Sequence, residues 1–227
     1  MGTWRWDKGL RALTLALALA STLWSFGADA AIGSQASSAP QLRLPPAALA
    51  QALRDGGLVI YFRHTATDFS RTDLASRGFD DCENQRPLTE QGRADARRIG
   101  AQVRALQLPV DEVLASPMCR TMDHARQTFA RATATPALRE RVGGDYPGLK
   151  LLLAQPTGTG RNRWLFGHGT PFRTVAGAPH LAEGEAVVLR PLGDSWQVLA
   201  RIGVHEWAAL PAAQPVANQG VAASARQ

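Results

Sequence analysis

Five side chains in this 227-residue sequence could assemble a site for an anion: Arg63 and His64 in "LVIYFRHTATD", Ser116 and Arg120 in "EVLASPMCRT", and His168 in "WLFGHGTPF". Guanidinium groups donate in pairs to phosphate or carboxylate oxygens, and a neutral imidazole can attack phosphorus as a nucleophile. Two arginines and two histidines in one place would therefore suit a tetrahedral dianion such as a phosphoryl group. Plainer explanations exist, surface ion pairs for the arginines and a turn position for His168. Each group, however, ends an apolar run that reads as buried, and buried charges rarely lack a partner or a function.

Bringing these residues together requires a parallel sheet. "GLVIYFRH" shows no polar alternation and reads as a strand buried on both faces. "VDEVLASP" reads as a second strand ended by a Ser-Pro turn, and "NRWLFGHG" as a third that closes on Gly-His-Gly. Helices are expected between them. "PPAALAQALRDGG" carries Pro at a helix start and Gly just past its end. "LTEQGRADARRIGAQVRALQL" opens with Thr89 as a cap and puts Ala94, Ala96, Ile99, Val103 and Leu106 on one stripe. Further helices are expected from Met118 to Ala132 and from Pro147 to Ala154, and "EAVVLRPLGDSWQVLARI" reads as a hairpin around Gly-Asp-Ser. The expected fold class is α/β, a three-layer sandwich with a mostly parallel sheet and an antiparallel edge. The carboxyl ends of parallel strands share one edge, where ligands bind, so the polar strand ends should converge there.

The order and local sequence of these pieces resemble the histidine phosphatase superfamily, with its phosphoglycerate-mutase-like fold, over about Leu58 to Ile202. The resemblance rests on "FRHTATD" for the Arg-His-Gly motif, "RPLTEQGRADARRIG" for the Leu-Thr-x-x-Gly helix start, "LASPMCRTMDHA" for Ser-Pro-x-x-Arg-Thr, and "LFGHGTPF" for the second His-Gly. It implies that His64 is the nucleophile that becomes phosphohistidine, with Arg63, Arg120 and His168 binding the phosphoryl oxygens. It implies no metal and no cofactor, because the arginines supply the positive charge. Thr65 stands where the family usually has Gly, which leaves the backbone less free and closes one side of the pocket. The general acid stays open. Relatives carry it on a Leu-x-Glu segment that here would be Leu138-Arg139-Glu140, whereas Glu185 opens a strand and could reach the same edge. Glu185 is favoured, then Glu140, then Asp145, with Asp68 and Asp81 as further candidates. His124, His180 and His205 lack a motif and read as structural.

The remaining features concern compartment and partner. Arg5, Lys8 and Arg11 precede an apolar run from Ala12 to Phe26 that ends in Ala28-Asp29-Ala30, the pattern of a secretory signal cut after Ala30. The run is shorter than the ~20 residues of a spanning helix, so no stable membrane insertion is expected after cleavage. Residues 31–45 read as a flexible leader, 46–210 as the folded domain and 211–227 as a low-complexity tail. A hydrophobic content of 45% is ample for one core. Cleavage removes three basic and two acidic residues, taking the net charge from +6 to +5, and no Arg-dense run with interleaved aromatics supports nucleic acid binding. Cys82 and Cys119 are the only cysteines, and an even pair in an exported protein favours a disulfide, here at the catalytic edge. The expectation is a periplasmic or secreted phosphomonoesterase acting on a phosphorylated small molecule or an envelope phosphate ester. A mutase fits an exported chain less well. The competing reading is a non-catalytic phosphate-binding envelope protein on the same fold, lacking an effective acid.

Overall fold

The strand that carries the Arg-His pair, β1 (Val59–Arg63), lies inside the sheet rather than at its rim, which is why its first four residues are apolar and buried. The computed structural model describes residues 44–139 and 144–213. The expected signal segment, nearly all of the leader, most of the tail and Glu140 lie outside the described residues. Before and after β1 come α1 (Pro46–Asp55), α2 (Glu90–Ala105), β2 (Val113–Ala115), α3 (Cys119–Phe129), β3 (Thr133–Ala134), α4 (Pro147–Ala154), β4 (Arg163–Gly167), α5 (Gly169–Ala176), β5 (Ala186–Pro191) and β6 (Trp196–Ile202). The sheet order is β3-β2-β4-β1-β5-β6. Strands β3, β2, β4 and β1 run parallel, and β5 and β6 form the antiparallel edge.

Alternate residues of a strand face opposite sides, and both sides are covered. Ile60 and Phe62 pack with Leu53, Ile99, Val103, Ala125 and Trp207 on one face, while Val59 and Tyr61 pack with Leu149, Leu153 and Phe172 on the other. Helices therefore sandwich the sheet, as the continuous apolar runs require. The α2 start is fixed by Thr89, whose hydroxyl accepts from Gly92 N–H at 2.9 Å. A side chain at Gly92 would meet the Ala66 carbonyl, so Gly lets α2 close onto the segment that follows β1.

Three local expectations differ from the structure. Helix α3 stops at Phe129, not Ala132, because Ala130 turns left-handed (φ 56°) and frees the chain to pair as the short edge strand β3. On α2 the stripe is rotated slightly, with Ala94 half-buried and Asp95 buried, where it accepts from Gln91 and Arg98. Helix α5, after the second His-Gly, has no counterpart in the sequence reading.

Candidate active site

Parallel pairing of β1 with β4 sets Arg63 opposite Gly167, so the next residues, His64 and His168, emerge side by side with ring centroids 5.6 Å apart. Two contacts hold this register. His64 N–H donates to the Gly167 carbonyl at 3.1 Å, and Tyr61 OH both donates to the His168 carbonyl and accepts from His168 N–H, each at 2.8 Å. A Cβ on residue 167 would collide with the Tyr61 hydroxyl, so this bracket requires glycine there. Strand β2 ends beside β4 and delivers Ser116, and the Ser-Pro turn starts α3 with Arg120 in its first turn. Arg63, His64, Arg120 and His168 thus come together at one edge.

His64 is buried, and its Nδ1 lies 3.0 Å from the Thr65 carbonyl, which can only accept. Nδ1 therefore carries the proton and Nε2 the lone pair. Burial pushes the His64 pKa down to about 3, and the charges of Arg120, Arg63 and Arg86 add to the effect, so the ring is neutral at any ordinary pH. His168 is likewise held well below its usual value, mainly by burial. Its Nε2 lies 2.8 Å from Ser116 Oγ, and that oxygen accepts from Met118 N–H at 3.4 Å. Ser116 thus holds the His168 ring by its Nε2 edge. Burial lowers the pKa of both Arg63 and Arg120, a desolvation cost that an anionic ligand relieves. Arg120 Nε is a buried donor with no acceptor among the described residues.

The carboxylates fall differently from the sequence reading. Glu185 does open the hairpin, and its carbonyl accepts from Arg63 N–H, but its carboxylate is clasped by Arg201 at 2.5 and 2.7 Å and accepts from Ala182 N–H. Asp145 is exposed, Asp68 accepts from Ser70, and Asp81 accepts from Arg77 N–H and Asn84. In their place stand two residues the sequence reading passed over. Glu183 lies 3.8 Å from His64 Nδ1 and 3.5 Å from Arg63 Nη2, anchored by the Thr67 hydroxyl at 2.7 Å. Gly184 (φ 78°) turns the chain between Glu183 and Glu185, sending the first towards His64 and the second towards Arg201. Asp73 pairs with Arg120 Nη1 at 3.0 Å. Thr65, in place of the family's glycine, is buried against Gly184.

Arg86 was also missed, although "RPLT" lay inside a quoted motif. Its charge acts on His64, Arg63 and Arg120, its guanidinium lies over the Phe69 ring at 4.6 Å, and its buried Nε has no acceptor among the described residues. Arg139 adds a further positive charge near Arg120 and His168. Beside Arg120 opens a cavity of about 840 Å³, walled by Phe79, Met122 and the Cys82–Cys119 disulfide, with Arg71 and Arg126 also lining it. The expected disulfide is formed, with Cα atoms 5.6 Å apart, and it ties the loop before α2 to the residue preceding Arg120. Among the described residues no helix is long and apolar enough to cross a membrane.

A neutral histidine, unshared on Nε2 and ringed by arginines at the carboxyl edge of a parallel sheet, defines a phosphoryl-handling site. The chain belongs to the histidine phosphatase superfamily (branch 1), whose family model matches residues 59–178. No curated protein matches the sequence. Among solved structures, the protein histidine phosphatase SixA complexed with tungstate shares 16% identity at a TM-score of 0.49, covering 65% of this chain and 97% of its own. A mycobacterial glucosyl-3-phosphoglycerate phosphatase with inorganic phosphate shares 13% at 0.47, covering 66% and 99%.

Proposed function

We propose that the protein is an exported phosphatase that hydrolyses phosphomonoesters through a phosphohistidine on His64. The observation that carries this reading is the His64 tautomer: Nδ1 donates to the Thr65 carbonyl, so Nε2 is left as an unprotonated nucleophile beside Arg63, Arg120 and His168. The two guanidinium groups and His168 bind the phosphoryl oxygens and stabilise the charge that develops as Nε2 of His64 closes on phosphorus. Glu183 acts from behind, near the protonated Nδ1, where it steadies the ring and offsets the positive charge that His64 gains on phosphorylation. Water then attacks the phosphohistidine and releases phosphate.

Of the four phosphoryl-site side chains Arg120 alone lines the 840 Å³ cavity, so a substrate whose non-phosphate part reaches past that arginine would meet a partly apolar wall of Phe79 and Met122. A phosphorylated small molecule or an envelope phosphate ester fits that description. The disulfide and the signal pattern support a periplasmic or secreted site of action. The test is His64→Ala assayed on an aryl phosphate, with alkaline-quenched phosphoenzyme trapping on the wild-type protein. Turnover should vanish and the trapped label should map to His64. Wild-type turnover by the variant would refute the mechanism, and phosphate binding without turnover by the wild-type protein would make the chain an anion-binding module.

A further inference from the structure

We propose that Asp73 is the general acid that protonates the leaving oxygen, an inference that rests on the phosphohistidine reading of His64. Among the described residues two carboxylates contact the four phosphoryl-site side chains: Glu183, on Arg63 and beside His64, and Asp73, on Arg120. Attack at phosphorus is in line, so the leaving oxygen departs on the side opposite His64 Nε2. Glu183 lies near Nδ1, behind the nucleophile, and cannot serve that oxygen. Asp73 instead bonds Arg120, the arginine brought by the neighbouring strand and helix. It also accepts from Arg86 N–H at 2.8 Å, which fixes its loop to the arginine-rich wall. About a third of the Asp73 side chain is exposed, and it lines a second cavity of about 350 Å³ with Arg139 and Phe79, so proton exchange with solvent is open.

A phosphate dianion on Arg120 takes over the guanidinium that Asp73 holds and sets the carboxyl, entering the step as the acid, beside the phosphoryl group. His64 Nε2 then forms the N–P bond as the P–O bond breaks. The electron pair passes to the leaving oxygen, and the proton on Asp73 converts that oxygen to an alcohol. In the second step Asp73, now a carboxylate, takes a proton from water as its oxygen bonds to phosphorus. The P–N bond breaks, its electron pair returns to Nε2, and Asp73 is protonated again.

The experiment compares Asp73→Asn with the full-length wild-type protein on p-nitrophenyl phosphate and on an alkyl phosphate, together with rapid alkaline-quench trapping of phosphohistidine. Loss of a general acid costs about 10² to 10⁴ in rate where the leaving group needs a proton, and little where it does not. The alkyl phosphate should therefore slow by at least about a hundredfold in the phosphorylation step, and the aryl phosphate by only a few-fold. The aryl phosphate should also leave the variant enriched in phosphohistidine, because the second step has lost its base. Equal losses on both substrates in the phosphorylation step would mean that Asp73 only positions Arg120, and no loss in that step on either, or a selective loss in Glu140→Gln instead, would equally overturn its role. Failure to label His64 in the wild-type protein would overturn the underlying mechanism, a result distinct from any of these.

Discussion

His124→Leu should make the protein less sensitive to acid without touching the phosphoryl-binding groups. His124 lies on α3, fully buried, with its ring edge-on to Phe62 and Phe166 at 5.4 and 4.7 Å, and neither ring nitrogen has a hydrogen-bond partner among the described residues. Burial, with a smaller contribution from His64, pushes its pKa down to about 3 from the 6.5 of an exposed histidine. Between those values the unfolded chain binds the proton and the folded chain does not. The stabilisation tied to the neutral ring is therefore complete above pH 6.5 and is lost as the pH falls towards 3. At pH 4.5, two pH units into that window at about 1.4 kcal/mol each, the loss is about 3 kcal/mol. Leucine is close in volume and has no polar atom to strand, so the variant should be at least as stable at pH 7. Urea unfolding at pH 7 and pH 4.5 measures the difference: the wild-type protein should lose about 3 kcal/mol more over that interval than the variant. Parallel losses would show that His124 does not carry the acid sensitivity and that its ring protonates within the fold.

Two further outcomes follow from the loop that frames the site. Replacing both Cys82 and Cys119 with Ser opens a bridge spanning 37 residues, which on the chain-entropy model costs about 4 kcal/mol of stability; thermal unfolding reads it, and activity should fall as well because the bridge adjoins Arg120. Arg86→Ala should lower kcat/KM about a hundredfold and weaken inhibition by inorganic phosphate, as expected for losing one charge-assisted donor. An unchanged rate would reduce Arg86 to its contact with Phe69.

How much of the site could be read from the sequence depended on where each residue sits relative to a strand end. Arg63, His64 and His168 follow runs that can only be central strands, and Arg120 follows a Ser-Pro turn that must start a helix. Their convergence follows from the parallel sheet, whose carboxyl ends share an edge, so residue order and apolar patterning were enough to expect it. The two cysteines were legible for a related reason, since Cys119 opens α3 and Cys82 lies in the connection that leads from β1 to α2. The carboxylates were not. Asp73 and Arg86 belong to a long connection with no repeating apolar pattern, and what places them is their own contacts: Asp73 with Arg120 and Arg86 N–H, Gln85 with Cys119 N–H, and the disulfide. Glu183 and Glu185 are two residues apart and chemically alike, yet Gly184 at positive φ and the cation each one meets, Arg63 or Arg201, separate their fates. Strand and helix periodicity carries information over a few residues, which settles the elements and the residues at their ends. Which acid meets which base across the sheet edge is decided by contacts between segments far apart in the chain, 47 residues for Asp73 and Arg120 and 116 for Thr67 and Glu183, and only the folded chain brings those together.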